Sequence, residues 1–167
     1  MSKRLIVLRH AKATHKPGFP DVDRPLTSRG ERDADAAGQW LRARRIVPDL
    51  VLCSPSRRTR ETWDRVVLVL ASNGDGTGAD VRYDSRLYQA GADETLEIIA
   101  GDAGDEQTLL LVGHNPAAQQ IASHLTARND LEFPTSALAV IDLNDWDNLT
   151  RGAGTLQSVW TPKAEHG

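Results

Sequence analysis

Three short apolar runs in this sequence each end directly before side chains that could bind or attack a phosphoryl group. The runs are Leu5–Leu8, Leu50–Cys53 and Leu109–Val112. In an open parallel sheet, ligands bind beyond the carboxyl ends of the strands, so residues after these runs can converge although they are distant in the chain. The set comprises Arg9 and His10 after the first run, Ser54, Pro55, Ser56, Arg57 and Arg58 after the second, and Gly113, His114, Asn115 and Pro116 after the third.

The arginines of this set indicate an anionic ligand. A guanidinium group is permanently charged and offers a planar fork of donors that matches phosphate or carboxylate oxygens. A phosphoryl group fits better, because the neutral imidazole of a residue such as His10 is a competent nucleophile toward phosphorus. Nearby guanidinium charges should lower the pKa of His10 from about 6.5 and keep the ring neutral. We expect His114 to donate a further hydrogen bond to the phosphoryl oxygens.

A metal site made of His10, His114 and an aspartate is the alternative use of the two histidines. The sequence has no His-x-His, His-Glu-x-x-His or Cys-x-x-Cys spacing that would support such a site. We therefore predict no metal ion and no other cofactor. Cys53 ends an apolar run and is expected to be a small buried hydrophobic residue and not a nucleophile.

Local patterns predict the helices that must position these residues. Ser28 and Glu31 fit a capping box, which predicts a helix from there toward Arg45. Apolar residues at helical spacing predict helices over Trp63–Leu70 and Ala118–Leu125. The pairs Ser54-Pro55 and Asn115-Pro116 each place an N-cap residue before a proline, which would direct two helix N-termini toward the anion.

The order of the elements predicts the fold class. The three runs lack polar–apolar alternation, as is typical of strands covered on both faces, and they alternate with helices, including a short one expected over Asp93–Ala100. This indicates an α/β fold, a three-layer α/β/α sandwich with a mostly parallel central sheet. Leu138–Leu143 and Leu156–Trp160 are expected to form an antiparallel edge. We expect a loop over Ser72–Asp80, a frayed end over Pro162–Gly167 and one domain over residues 1–167.

Charge and composition exclude several other classes of function. The formal net charge of −3 leaves no global positive field for nucleic acid or an anionic membrane surface. The longest strongly apolar stretches, such as Val66–Ala71, are far shorter than the roughly 18 residues of a membrane span. Only four apolar residues precede the first charge after the amino-terminal basic pair, too few for a secretory signal. Together with the single cysteine, Cys53, this predicts a cytoplasmic protein.

Four motifs, in order along the chain, resemble the histidine phosphatase superfamily, whose fold is that of the phosphoglycerate mutases. The resemblance covers residues 4 to about 125 and implies that His10 is the phosphorylated nucleophile, while Arg9, Arg58 and His114 complete the phosphate pocket. Lys12, Arg57 and Asn115 are expected to contact the substrate. The motifs are Leu8-Arg9-His10-Ala11-Lys12, Arg24-Pro25-Leu26-Thr27-Ser28-Arg29-Gly30, Ser54-Pro55-Ser56-Arg57-Arg58-Thr59-Arg60-Glu61-Thr62 and Gly113-His114-Asn115-Pro116.

The small size, the Ala11-Lys12 pair and the segment Leu87-Tyr88-Gln89-Ala90 are most similar to the SixA-type branch, whose members are phosphohistidine phosphatases. Many other members of the superfamily carry an acidic general acid about where this chain has Tyr88 and Gln89. Asp93 and Glu94 match that position poorly. A phosphoramidate leaves as an imidazole that can already carry a proton, whereas an alkoxide leaving group needs a positioned acid.

The resemblance therefore implies a metal-independent phosphatase that acts on a phosphohistidine protein through a covalent intermediate on His10. Two alternatives stay open: a phosphatase for a small phosphate monoester, and a catalytically idle phosphate-binding module. The intact His10 argues against the idle module, because phosphate binding requires arginines but no nucleophile.

Overall fold

The computed structural model describes residues 3–72 and 77–162. The expected frayed end beyond Pro162 and the middle of the expected loop, residues 73–76, lie outside these ranges. The strands are β1 (Lys3–Arg9), β2 (Leu50–Cys53), β3 (Asp80–Tyr83), β4 (Thr108–Gly113), β5 (Leu138–Leu143) and β6 (Thr155–Trp160). The helices are α1 (Ser28–Ala43), α2 (Arg57–Leu70), α3 (Ala92–Asp102) and α4 (Ala117–Thr126), with short 3-10 turns at Asp21–Asp23 and Ser85–Leu87.

The six strands form one sheet in the order β3-β2-β4-β1-β5-β6. Strands β1 to β4 run parallel, whereas β5 pairs antiparallel with β1 and β6 pairs antiparallel with β5. Strand β4 lies between β1 and β2, with Val112 opposite both Leu8 and Cys53. The carboxyl ends of β1, β2 and β4 therefore meet at the same edge of the sheet.

Successive residues of the central strands face opposite layers of helices. In β1, Leu5 and Val7 pack with the buried side chains of α3 and α4, while Ile6 and Leu8 pack with those of α1 and α2. Burial on both faces explains why this run has no polar–apolar alternation. The predicted three-layer sandwich, with a mostly parallel sheet and an antiparallel edge, is confirmed.

Helix α1 begins with a different cap from the one predicted. The N-cap residue is Thr27, whose side chain accepts a hydrogen bond from the Gly30 amide at 3.0 Å. Ser28 is already helical, so the predicted capping box of Ser28 and Glu31 is wrong by one residue. The helix ends two residues before Arg45, whose φ of 57° lies in the left-handed region that terminates helices.

The two helices nearest the expected site also begin later than predicted. The N-cap residue of α2 is Ser56, whose side chain accepts a hydrogen bond from the Thr59 amide. The hydroxyl of Ser54 does not cap the helix and lies 2.8 Å from the His114 ring. In α4, Pro116 occupies the N-cap position, and Asn115 precedes it by one residue, although its side-chain oxygen still accepts from the Gln119 amide at 3.2 Å. The predicted Ser-Pro and Asn-Pro starts are therefore wrong in register, although both helices exist.

The other predicted elements are found where the patterns place them. Helices α2, α3 and α4 contain the three segments predicted to be helical, and β5 and β6 contain the two expected edge strands. Strand β3 had no prediction, because its edge position leaves it mostly exposed and without an apolar run. No helix in the described ranges is long and apolar enough to cross a membrane. The assignment of residues 1–167 to one domain stays a prediction.

Candidate active site

A cavity of about 390 Å³ lies where β1, β2 and β4 end. It brings together six of the seven predicted site residues, and Arg57 is the exception. Basic and imidazole side chains dominate its wall, and no carboxylate is among the lining residues of the described chain. The lining residues are Arg9, His10, Lys12, Ala13, His15, Arg24, Arg29, Arg58, His114, Asn115 and Thr135.

His10 is held in one orientation by its backbone and by its ring. Its amide donates to Gly113 O at 2.9 Å and its carbonyl accepts from the Ser136 amide at 3.0 Å. The ring nitrogen Nδ1 lies 2.7 Å from Ala11 O. A carbonyl oxygen can only accept, so Nδ1 carries the proton and Nε2 carries the lone pair. Among the described residues, no hydrogen-bond partner occupies Nε2, which leaves it available for nucleophilic attack.

A single hydroxyl connects the segment after β1 to helix α2. The Thr62 hydroxyl accepts a hydrogen bond from the Ala11 amide at 2.9 Å and donates one to Arg58 O at 2.7 Å. Thr62 is fully buried. The backbone beside His10 is therefore fixed relative to the helix turn that carries Arg58.

The pKa of His10 is lowered to about 3, mainly because the ring is buried and the charged form loses its hydration. Repulsion by His114, Arg58 and Arg9 lowers this pKa further, while the hydrogen bond to Ala11 O opposes the shift. The predicted direction is correct, but the predicted cause is not the leading one, because burial outweighs the guanidinium charges. At neutral pH the ring is therefore uncharged.

His114 lies beside His10, with ring centroids 5.5 Å apart. Its Nδ1 is 3.4 Å from Arg58 Nη2, which can only donate, and its Nε2 is 2.8 Å from the Ser54 hydroxyl. Burial, followed by the charge of Arg58, lowers the pKa of His114 to about 4. Both ring nitrogens have protein partners in this arrangement. The predicted donation to a phosphoryl oxygen would therefore require His114 to exchange one of these partners.

Arg58 and Arg9 each keep a buried donor without a partner. Arg58 donates through Nη1 and Nη2 to the backbone and the carboxylate of Asp21, at 2.8 and 3.2 Å. Arg9 donates through Nη1 to Phe133 O at 3.1 Å. The Nε atoms of both arginines are buried and have no partner in the described part of the chain. Unsatisfied buried donors are rare, and because these two atoms are not exposed, an anion in the cavity reaches them only after a rearrangement of the side chains.

Arg57 and Asn115 are placed differently from the other predicted residues. Arg57 is exposed and donates to Glu61 at 2.8 Å, one turn along α2, so it does not line the cavity. The expected substrate contact of Arg57 therefore finds no geometric support. Asn115 lines the cavity, but its side-chain amide donates to Phe133 O at 2.9 Å, the same carbonyl that Arg9 contacts.

Asp21 connects Arg24 and Arg58 at one side of the cavity. Its carboxylate accepts from Arg58, from Arg24 Nε at 3.1 Å and from the Tyr88 hydroxyl at 2.5 Å. These hydrogen bonds, led by that of Tyr88, lower the pKa of Asp21 to about 2. Tyr88 also packs edge-on against His114 at 5.8 Å. These contacts indicate that Asp21 orients Arg58 and Arg24.

Five lining residues were not predicted as site residues: Ala13, His15, Arg24, Arg29 and Thr135. Arg24 and Arg29 belong to a motif that carries the family resemblance, and this was the available signal for both. Thr135 follows no apolar run and belongs to no motif, so no sequence signal could have identified it. Asp93 and Glu94 lie exposed in the first turn of α3 and do not line the cavity, and neither does Gln89. Over residues 3–72 and 77–162, no group of three or more His, Cys, Asp or Glu side chains could hold a metal ion.

The fold and the site define an α/β protein with an uncharged histidine inside an arginine-lined, anion-receptive cavity. A model of the histidine phosphatase superfamily (branch 1) matches residues 5–88. An uncharacterized protein of Mycobacterium tuberculosis is 36% identical over 167 residues, which cover 93% of this chain and 100% of that protein. The chain belongs to the histidine phosphatase superfamily.

Two solved structures, both provisionally named phosphohistidine phosphatase SixA, are similar along almost the whole chain. The one from Nakamurella multipartitia is 33% identical, with a TM-score of 0.78 and coverage of 96% of each chain. The one from Agrobacterium tumefaciens is 30% identical, with a TM-score of 0.78 and coverage of 97% of this chain and 99% of that one. The predicted family, its SixA-type branch and the phosphoglycerate-mutase-like fold are confirmed.

Proposed function

We propose that this chain is a phosphatase that hydrolyses phosphohistidine in a protein through a covalent phosphoryl intermediate on His10. The observation that carries the proposal is the hydrogen bond from His10 Nδ1 to Ala11 O, which leaves the Nε2 lone pair in a cavity lined by arginines. The similarity to two structures named SixA supports phosphohistidine as the substrate.

In the first step, Nε2 of His10 attacks phosphorus in line with the bond to the substrate imidazole. The new N–P bond forms as the substrate N–P bond breaks, and the departing ring leaves neutral because its other nitrogen already carries a proton. Arg9 and Arg58 stabilise the negative charge on the equatorial oxygens through the guanidinium groups that line the cavity. This scheme uses no metal ion.

In the second step, water attacks phosphorus and the bond to Nε2 breaks. Nδ1 keeps its proton throughout, because Ala11 O holds it. The phosphorylated ring therefore carries a positive charge and leaves as neutral imidazole, a good leaving group, while phosphate takes the proton of the attacking water. The hydrogen bond that fixes the nucleophile in the first step thus also prepares its release.

The composition of the cavity favours phosphohistidine over a phosphate monoester. An alkoxide leaving group needs a proton from a positioned acid. Among the described residues, no carboxylate lines the cavity. The Tyr88 hydroxyl donates a hydrogen bond to Asp21. This hydrogen bond raises the pKa of Tyr88, which makes Tyr88 a poorer acid. The imidazole of phosphohistidine already carries a proton when it leaves, so it does not need a positioned acid.

The compartment and the partners form part of the same proposal. Cys53 is fully buried, and burial raises the pKa of its thiol to about 12, so it is an inert core residue and not a redox centre. A chain whose only cysteine is of this kind suits a reducing compartment, and we place the reaction in the cytoplasm. The substrate is a phosphorylated protein, and neither nucleic acid nor a membrane is required.

The test is to trap the intermediate with a phosphohistidine peptide, followed by an alkaline quench and mass spectrometry. We expect one added phosphoryl group on His10 in the wild-type protein and in the Arg57→Ala control, and none in His10→Asn. Turnover by His10→Asn, or phosphate on another residue, would refute the mechanism. A higher kcat/KM for a sugar phosphate than for the peptide would establish the monoester alternative. Binding without turnover would establish the idle module.

A further inference from the structure

We propose that the cavity contains a second anion subsite, formed by Lys12 and Arg29, which binds an acidic side chain close to the phosphohistidine of the substrate protein. The identity of the substrate rests on the proposed function. The subsite adds a preference for the sequence around the phosphorylated residue.

The size of the cavity exceeds what one phosphoryl group needs. Its volume of about 390 Å³ corresponds to roughly a dozen water molecules at about 30 Å³ each. A transferred phosphoryl group consists of one phosphorus and three oxygens. The remaining space must hold other parts of the substrate, and the wall around that space determines which parts bind well.

The wall carries more positive charge than a phosphoryl group balances. Five permanent cations line the cavity, and two carboxylates, those of Asp21 and Asp33, pair with them. A phosphoryl group adds up to about two negative charges. One positive charge therefore remains without a counter-charge. The five cations are Arg9, Lys12, Arg24, Arg29 and Arg58.

We assign the positive charge without a counter-charge to the ammonium group of Lys12. Its side chain is exposed, and no hydrogen bond or ion pair of its ammonium group is found in the described part of the chain. Its backbone is fixed, because the Thr27 amide donates to Lys12 O at 2.9 Å and Gly30 packs directly against this carbonyl. An ammonium group on an anchored backbone, at the edge of a cavity, is available to an incoming anion.

Arg29 lies on the same wall, two residues after Thr27. Within residues 3–72 and 77–162 its one ion pair is long, with Nε 3.5 Å from Asp33 Oδ2, and its side chain is half exposed. The planar guanidinium group therefore keeps donors that a carboxylate can bind. Lys12 and Arg29 together suit the carboxylate of an aspartate or glutamate that flanks the phosphohistidine.

The test compares two phosphohistidine peptides of equal length, one with Asp and Glu on both sides of the phosphohistidine and one with Asn and Gln. For the wild-type protein we expect about fivefold higher kcat/KM with the acidic peptide, the size of an exposed ion pair. The ratio of kcat/KM for the acidic peptide to kcat/KM for the amide peptide should fall toward one in Lys12→Gln. The same ratio should fall in the wild-type protein as the salt concentration rises. The matched control Lys16→Gln, which removes an exposed lysine outside the cavity, should keep the wild-type preference. Equal kcat/KM for the two peptides in the wild-type protein overturns the subsite.

A binding measurement separates failure of the subsite from failure of the proposed function. If neither peptide is hydrolysed, the proposed function fails, and calorimetric titration with 4-carboxybenzylphosphonate and 4-carbamoylbenzylphosphonate tests the subsite without turnover. Tighter binding of the carboxylated compound by the wild-type protein, lost in Lys12→Gln, supports the subsite. Equal affinity for the two compounds overturns it.

Discussion

Replacing His10 with asparagine should make the stability of the protein less sensitive to acid. In the folded protein the pKa of His10 is about 3, whereas in the unfolded chain it returns to about 6.5. Between these values the unfolded state binds a proton that the folded state does not, so the free energy of unfolding falls as the pH drops below about 6.5. Asparagine cannot take up this proton, and its side-chain amide can still donate to Ala11 O.

The magnitude follows from the pKa difference. At pH 5.0 the unfolded imidazole is about 1.5 pH units below its pKa, and each unit is worth about 1.4 kcal/mol, so His10 accounts for a loss of about 2 kcal/mol between pH 7.5 and 5.0. His114, with its pKa of about 4, adds a loss in the same direction in both proteins. The variant should therefore lose about 2 kcal/mol less than the wild type over this interval.

Urea unfolding at pH 7.5 and 5.0 and constant ionic strength measures this difference. The buried tryptophans, among them Trp63 and Trp160, provide a fluorescence signal for the transition. Any effect of the substitution that does not depend on pH cancels, because only the change between the two pH values is compared. If both proteins lose the same stability within the error of the linear extrapolation, His10 is not buried in its neutral form, and the basis of its nucleophilicity is wrong.

Three further substitutions test the site and its supports. Arg58→Ala should lower kcat/KM for a phosphohistidine peptide about a hundredfold, because it removes a transition-state donor, whereas Arg57→Ala should stay close to the wild type. Steady-state kinetics of the two variants side by side checks this, and equal losses would contradict the register assigned to α2. Asp21→Asn should lower kcat about tenfold, since Arg58 loses a charged acceptor, and a change in KM alone would argue against a positioning role. Gly30→Ala should cost about 2 kcal/mol in urea unfolding, because the added Cβ would lie 2.1 Å from Lys12 O, and a wild-type midpoint would contradict this packing.

The sheet and the meeting of the histidines could be predicted because both depend on periodicity and on strand ends. Three uninterrupted apolar runs identify strands covered on both faces, and Arg9, His10 and His114 follow those strands directly. No knowledge of the loops is needed for this step. The antiparallel edge of β5 and β6 follows from the same kind of pattern.

The residue patterns alone do not decide between Arg57 and Arg58, although the family resemblance favours Arg58, because the choice depends on the phase of helix α2. Successive helical residues point about 100° apart, so one of two neighbouring arginines can face the cavity while the other faces solvent. The sequence placed the helix start at Ser54 and Pro55, two residues before the actual cap at Ser56. An incorrect helix start leaves undecided which residues of the first turn face the cavity.

The sequence patterns also could not predict the role of Asp21 or the burial that lowers the pKa of His10, for a different reason. Asp21 lies in a short 3-10 turn that no periodic pattern predicts, and its partner Arg58 is 37 residues away in the chain. The burial of His10 is a property of the assembled layers, so the sequence shows which charges can approach the ring but not how far water is excluded from it. Both quantities arise from tertiary packing.

The position of β4 between β1 and β2 determines when the active site can assemble during synthesis. During synthesis His10 and helix α2 emerge early, yet β4, which lies between β1 and β2, emerges only after residue 107. Until that strand inserts, β1 and β2 have no common neighbour, and His10 lacks the Gly113 carbonyl that anchors its backbone. A nascent or truncated chain therefore carries most of the reactive groups without the means to align them, and activity arises in one late event of assembly.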